Sequence, residues 1–274
     1  MEAYSVLMSV YAKVNSEDLK LSITSMLNQT VRPEQFILVW DGPVGDELKD
    51  VVSQFENDNP GVFSIIQLPE NRGLAYALNV GIDLSRNELI ARMDSDDYSM
   101  PNRCEEQLAV FSNRPGLVLL GTNTQHFVDD PMLPLESYGI NPIGIEEIKK
   151  KIRRNSAFSH PTVMFKKSII MKVGGYDPEL RRSQDHDLFC RLVAEGYDVD
   201  NINKALVRFR SDNSMMLRNR NEDSCKARIE IQKRLLRRKQ CSIIDYLYIR
   251  IMVFLMRTVP EAMYINIYSW LKGK

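Results

Sequence analysis

The sequence predicts an α/β fold: a Rossmann-like, mostly parallel sheet flanked by helices, with a helical extension at its C-terminal end. Two observations carry this. Short apolar runs alternate with stretches of helical periodicity over the first 120 residues, and the links between them are short. Such alternation demands parallel strands joined by crossover helices, so that both sheet faces are covered. The 274 residues, 44% hydrophobic and 26% charged, suffice for one large domain or two small ones, with a core that needs no disulfide staples.

In order, Ser5 to Val10 reads as the first strand, followed by a helix from about Glu17 that places Leu19, Ile23, Met26 and Leu27 on one face. Phe36 to Trp40 is the second strand, and Leu48, Val51, Val52 and Phe55 mark the next helix. Phe63 to Leu68 is the third strand, and Leu74, Ala77, Leu78 and Ile82 mark the third helix. Glu88 to Met93 is a fourth strand running into a dense acidic cluster. Beyond Pro101 the pattern loosens. A helix through Leu108 and Phe111 leads to a strand from Leu117 to Gly121 and a loop from Asp129 to Asn141. A strand from Pro161 to Phe165 and a helix from Asp185 to Ala194 follow. The last 50 residues read as helical: Ile229 to Arg238, Ile243 to Val259 and Ala262 to Leu271.

Charge is balanced overall, 36 basic against 36 acidic residues, which gives no reason to expect a nucleic-acid partner. The balance hides an asymmetry: from Asn201 onward there are 16 basic and 6 acidic side chains, against 20 and 30 before it. A basic C-terminal part fits an anionic partner, and a membrane surface is one. Cys104, Cys190, Cys225 and Cys241 are scattered, so neither a disulfide framework nor a thiolate zinc site is legible, and a reducing cytoplasm is expected. The N-terminus lacks the basic start of a signal peptide, and no run of about 18 uncharged apolar residues predicts a spanning helix.

The chemistry-bearing residues fall largely at strand ends, where ligands of parallel sheets bind. Asp94-Ser95-Asp96-Asp97 closes the fourth strand; residues two apart share a face, so Asp94 and Asp96 converge, and a hard divalent cation relieves their repulsion. A solvated acidic turn is the plain alternative. Trp40-Asp41-Gly42 ends the second strand, where a carboxylate can take a hydrogen bond from a base or ribose, or simply end a turn. Asn71-Arg72-Gly73 and Asn79 open the third helix and suit a phosphate or a helix cap. Gly174-Gly175-Tyr176-Asp177 forms a turn that can lay Tyr176 against an acceptor, and Gln184-Asp185-His186-Asp187 puts a carboxylate at the start of a helix, where Asp185 can also be a plain N-cap. His160 reads as a hydrogen-bonded core residue and His186 as a helix-surface residue; with His126 they lack zinc-ligand spacing. A dinucleotide fingerprint, a P-loop and a nucleophile elbow are all missing.

In this order and spacing the clusters resemble glycosyltransferase family 2, inverting enzymes of the GT-A fold, and most narrowly bacterial transferases that assemble capsule, O-antigen or exopolysaccharide. The most specific stretch is Asn71-Arg72-Gly73, Asn79-x-Gly81-Ile82, Asp94-Ser95-Asp96-Asp97 and Pro101-x-Arg103, within a match running from Ser5 to about Arg220. The resemblance implies that Asp41 recognises the uracil of a UDP-sugar beside Val10 and Tyr11, and that Asn71, Arg72, Gly73, Asn79, Asp94 and Ser95 serve the nucleotide-sugar. It implies that Asp96, with Asp94, holds Mg2+ or Mn2+ against the diphosphate. Asp185 matches the base that deprotonates the acceptor, Gly175 and Tyr176 the acceptor-side turn, and Arg218 and Arg220 a basic pair contacting phosphate. Trp40, Pro43, Leu78 and Gln184 depart from the family's usual residues, as does the strand-one ending Ser9-Val10-Tyr11-Ala12.

The expected organisation is a transferase domain over 1–220, divided into a nucleotide-sugar half (1–100) and an acceptor half (101–220), then a basic amphipathic tail over 221–274. The expected acceptor is a saccharide or lipid-linked saccharide, with the enzyme peripheral on the inner face of a bacterial plasma membrane. A sugar nucleotidyltransferase would want a glycine-rich basic loop after strand one, where Tyr11-Ala12-Lys13-Val14-Asn15 stands. A non-catalytic sugar-nucleotide-binding membrane scaffold would not need the acids and the distant Asp185 together.

Overall fold

A computed structural model describes residues 2–211 and 220–260. Arg218, and the expected helix from Ala262 to Leu271, lie outside the described residues. Strands β1 (Tyr4–Val10), β2 (Gln35–Trp40), β3 (Phe63–Gln67) and β4 (Leu89–Arg92) are joined by helices α1 (Ser16–Leu27), α2 (Asp46–Asp58) and α3 (Leu74–Asp83). There follow β5 (Tyr98–Ser99), α4 (Arg103–Asn113), β6 (Leu117–Phe127), β7 (Tyr138–Gly139), α5 (Ile145–Ile152) and β8 (Met164–Lys166). Next come α6 (Lys167–Lys172), α7 (Gln184–Ala194) and β9 (Asp198–Arg210), and then two further helices, α8 (Glu222–Arg237) and α9 (Ile243–Thr258).

One sheet runs β3-β2-β1-β4-β8-β6-β9-β5, with β7 on β6. Its long ladders, β1 with β2 and β4, β2 with β3, and β6 with β9, are parallel, whereas the short pairings through β8, β5 and β7 are antiparallel. Strand alternation divides the core in two. Leu7, Ile37, Val39 and Ile90 share one cluster with residues of α3 and α7; Val6, Met8, Phe36 and Leu38 share the other with residues of α1, α2 and α4. β2 is buried at every position, which is why it reads as an unbroken apolar run.

The C-terminal helices are built onto this body. Ile231 and Leu235 of α8 enter the same core as Leu7 and Phe189. Gln232 Nε2 donates to Arg153 O at 2.6 Å, and Arg234 pairs with Asp177 at 2.6 Å. α9 starts with a Ser242–Asp245 capping box and packs Ile249 and Val253 onto Cys225.

Through residue 93 the expected elements are present with ends shifted by a residue or two. Later readings need correction. The Pro161–Phe165 strand begins only at Met164, after a 3-10 turn over His160–Thr162. The Asp129–Asn141 loop contains β7, and the strand from Leu117 continues to Phe127. β9, α5 and α6 have no counterpart among the expected elements.

Candidate active site

The acidic cluster lies past the end of β4, in the turn leading to β5, so a turn and not strand alternation gathers its carboxylates. Oxygens of Asp94, Asp96 and Asp97 all come within 4.8 Å of one another. Three neighbours hold that turn. Ser22 Oγ of α1 donates to Asp94 O at 2.6 Å. Arg92 forms a two-pronged ion pair with Asp94. Arg210, at the end of β9, donates Nε to Asp96 O at 3.0 Å and its backbone N–H to Asp97 Oδ1 at 2.8 Å, and pairs with Asp18 at 2.7 Å.

Electrostatically the three acids differ. Arg92 offsets the charge of Asp94. Burial pushes the Asp97 carboxyl well up, with repulsion from Asp94 and Asp96 adding to it, and its Oδ2 is buried without a hydrogen-bond partner. Asp96 is pushed up to about 6, by desolvation first and by Asp94 second. Its side chain nonetheless opens to solvent, so repulsion by Asp94 is the firmer cause. An open carboxylate, a second beside it and an orphaned buried oxygen are a donor set that fits a hard divalent cation.

Arg92 is a site residue that the sequence pattern does not announce. It is 1% exposed, and its carbonyl accepts from the fully buried Arg103 at 2.8 Å. Its charge lowers the carboxyl values of Asp96, Asp97 and Asp185 and the values of His160 and Tyr176, opposing the burial of the acids. Asp185 of α7 and the acidic turn both feel that charge. Asp185 sits in the first turn of α7, behind Ser183, whose φ of 56° is left-handed and unusual for a serine. Burial raises the Asp185 carboxyl above its ordinary value, against the opposing pull of His186, nearby backbone amides and Arg92.

The remaining expected residues divide by what holds them. Val10 O accepts from Asp41 N at 2.8 Å, which stitches the ends of β1 and β2, while Tyr11 is exposed. Asp41 is buried and accepts from the backbone N–H groups of Arg72 and Gly73 at 2.7 and 3.0 Å. Asn71 donates to Asp41 O, and the Arg72 guanidinium lies 3.7 Å from the Tyr76 ring centre. Gly42 takes φ 89° where the chain passes so close that a Cβ would stand 2.6 Å from Asn71 N. Ser95 is buried within the acidic turn.

Three of these residues make hydrogen bonds within the protein. The Asn79 amide is engaged by the Tyr176 backbone, donating to its carbonyl at 2.7 Å and accepting from its N–H at 2.8 Å. Tyr176 is buried, and its hydroxyl shares a 2.8 Å hydrogen bond with His160 Nε2. Burial and Arg92 hold His160 well below the ordinary histidine value, so it is neutral. Arg220 donates to Met256 O at 2.7 Å and Val259 O at 2.5 Å, closing the end of α9. Gly175, at φ 64°, lies against Asn79, and its carbonyl accepts from Arg191 at 2.5 Å. His186 is also corrected: it is buried, and its Nε2 donates to Ile152 O at 2.8 Å.

The fold and this site define a transferase of the GT-A type. Residues 5–174 match the family described as glycosyl transferase family 2, and the chain belongs to that family. It is 30% identical over 272 residues to the amylovoran biosynthesis glycosyltransferase AmsE of Erwinia amylovora, covering 99% of this chain and 98% of that one. It is 33% identical over 210 residues to an Escherichia coli UDP-Gal:alpha-D-GlcNAc-diphosphoundecaprenol beta-1,3-galactosyltransferase, covering 76% of this chain and 74% of that one. Among solved structures it resembles the mannosyltransferase PcManGT of Pyrobaculum calidifontis in complex with GDP-Man and Mn2+. The TM-score is 0.66 at 11% identity, over 94% of this chain and 70% of that one.

Proposed function

We propose that this glycosyltransferase moves a sugar, with inversion, from a UDP-sugar to a saccharide or lipid-linked saccharide acceptor in surface polysaccharide assembly. The observation that carries the reading is the cluster of Asp94, Asp96 and Asp97 held by Arg92, whose charge also reaches Asp185. The names of the E. coli and Erwinia relatives support the donor and the setting.

In this reading Val10, Tyr11, Asp41, Asn71, Arg72 and Gly73 border the nucleotide, and Asp94 and Ser95 the diphosphate. Asp185 takes the proton of an acceptor hydroxyl, held on the side of Gly175 and Tyr176. The hydroxyl oxygen attacks the anomeric carbon from the face opposite the nucleotide. The bond to the diphosphate breaks, its electron pair leaves with the diphosphate, and the anomeric centre inverts. Asp96 and Asp94 would hold Mg2+ or Mn2+, which when bound neutralises charge on the departing diphosphate.

The lipid-linked acceptor accords with α9. No helix among the described residues is long and apolar enough to cross a membrane. α9 nevertheless turns Ile243, Ile244, Leu247, Ile251, Phe254 and Leu255 outward, with Ile244 68% and Phe254 64% exposed. The basic residues Lys233, Arg237, Arg238 and Lys239 are supplied by α8 and the turn after it, whereas Arg234, expected among them, is committed to Asp177. Apolar insertion plus basic charge is the two-signal arrangement for docking on anionic lipid at the inner face of a plasma membrane. Tyr264, Tyr268 and Trp270, expected to add interfacial aromatics, lie outside the described residues.

The test is a donor screen by nucleotide release with Mn2+, repeated in excess chelator and with lipid-linked sugar acceptors. Metal-dependent release from a UDP-sugar that accelerates with an acceptor supports the reading. Pyrophosphate production from sugar phosphate and nucleoside triphosphate would replace it with nucleotidyl transfer.

A further inference from the structure

On the side of Asp185 formed by the C-terminal helices lies a cavity of about 110 Å³. The segment after α5 lines it with Arg154, Asn155 and Ser156, the start of α7 with Asp185, and α8 with Arg228 and Gln232. A pocket for a whole small ligand spans roughly 300–1,000 Å³, so this one suits a single sugar unit or its substituent.

Two groups in the lining have unmet capacity. Gln232 is 1% exposed; its Nε2 is used by Arg153 O, but its Oε1 is buried without a hydrogen-bond partner. A buried amide oxygen left unpaired is costly, and a ligand hydroxyl can recover that loss. Arg228 is half-buried, and no carboxylate pairs with it among the described residues. By contrast Arg154 is committed to Asp245 at 2.6 Å and lies 4.6 Å from the Tyr248 ring centre. The core contacts of Ile231 and Leu235 fix α8, so Arg228 and Gln232 are presented on a rigid wall.

We infer that Arg228 and Gln232 form an acceptor subsite beside Asp185 for a sugar bearing an oxyanion, Gln232 Oε1 accepting from a sugar hydroxyl and Arg228 pairing with the phosphate or carboxylate. The inference rests on the proposed role of Asp185 as acceptor base and adds the chemical class of the acceptor. It also gives α8 a part in substrate choice. Arg228 offsets the added negative charge next to a carboxylate that must itself ionise.

The experiment is ligand-observed NMR on the full chain in chelator, with N-acetylglucosamine 1-phosphate, glucuronic acid and uncharged methyl glucoside as probes. At least one anionic probe should bind tenfold or more tightly than methyl glucoside. Arg228→Gln should erase that preference, and Gln232→Leu should weaken the same probe severalfold. Binding of UDP with Mn2+ is measured on each variant as the donor-side readout and as a check on folding. Three results overturn the inference: no binding of either anionic probe, equal binding of charged and uncharged probes, or a preference that survives Arg228→Gln in a variant that still binds UDP. Failure of the wild type to bind UDP would instead count against the proposed function.

Discussion

Asn79 separates two accounts of the site. If its amide clasps the Tyr176 backbone, Asn79→Ala removes hydrogen bonds of 2.7 and 2.8 Å and leaves the Tyr176 backbone groups unpaired. Each bond is worth about 1 kcal/mol net, and stranding its partners adds to that, so the loss should be about 2–3 kcal/mol. With an unfolding entropy of roughly 2.1 cal/mol/K per residue, that loss lowers Tm by about 4 °C in a protein of this size. Turnover should fall as well, because the clasp positions the turn that carries Gly175 and Tyr176 near Asp185. UDP affinity should stay within about twofold, since a net change under about 0.4 kcal/mol is expected where no nucleotide contact is lost. The assays are thermal unfolding and calorimetric UDP titration with Mn2+. A tenfold loss of UDP affinity at unchanged Tm would refute the clasp and restore Asn79 as a nucleotide contact.

Three further outcomes are expected. Because burial raises the Asp185 carboxyl and a base must be ionised, kcat should fall as pH drops through a midpoint above the ordinary aspartate value of about 4; a midpoint at or below that value contradicts the assignment. Asp96→Asn should abolish metal-stimulated transfer with Tm nearly unchanged, since its side chain is exposed; full activity in that variant or in excess chelator removes the metal from the mechanism. Ile251→Glu with Phe254→Glu should abolish sedimentation with anionic vesicles at little cost in stability, because both side chains point outward; unaltered sedimentation would leave α9 a purely structural helix.

The first half of the fold is legible in the sequence because its physics is local. β1 and β2 are buried on both faces and read as apolar runs, and the intervening helices show their buried stripes at helical spacing. β9 is not legible: it is partly exposed, mixes Lys204, Arg208 and Arg210 with its apolar residues, and is held in place by pairing with distant β6. α5 has eight residues, and its buried Ile148 and Ile152 are outnumbered by charged ones. In the site, Asp96 and Asp185 stand out as acids at element ends. Arg92 and Arg210 do not: nothing beside Arg92 in the sequence marks it as buried, and Arg210 reaches the acidic turn from the end of β9, far along the chain. The hydrogen bonds that engage Asn79 with Tyr176 and Arg220 with Met256 are likewise beyond what the sequence shows, since their partners lie far along the chain.

The most direct test of Asp185 as the acceptor base is Asp185→Asn, with transfer rate and UDP affinity measured side by side. Asp187 is a poor neutral control, since it is 2% exposed and held by Arg191 and Arg234, so its loss acts through stability. Asp185→Asn should lower turnover by about a hundredfold or more while UDP binds as in the wild type. Wild-type turnover in Asp185→Asn with intact UDP binding would contradict that role.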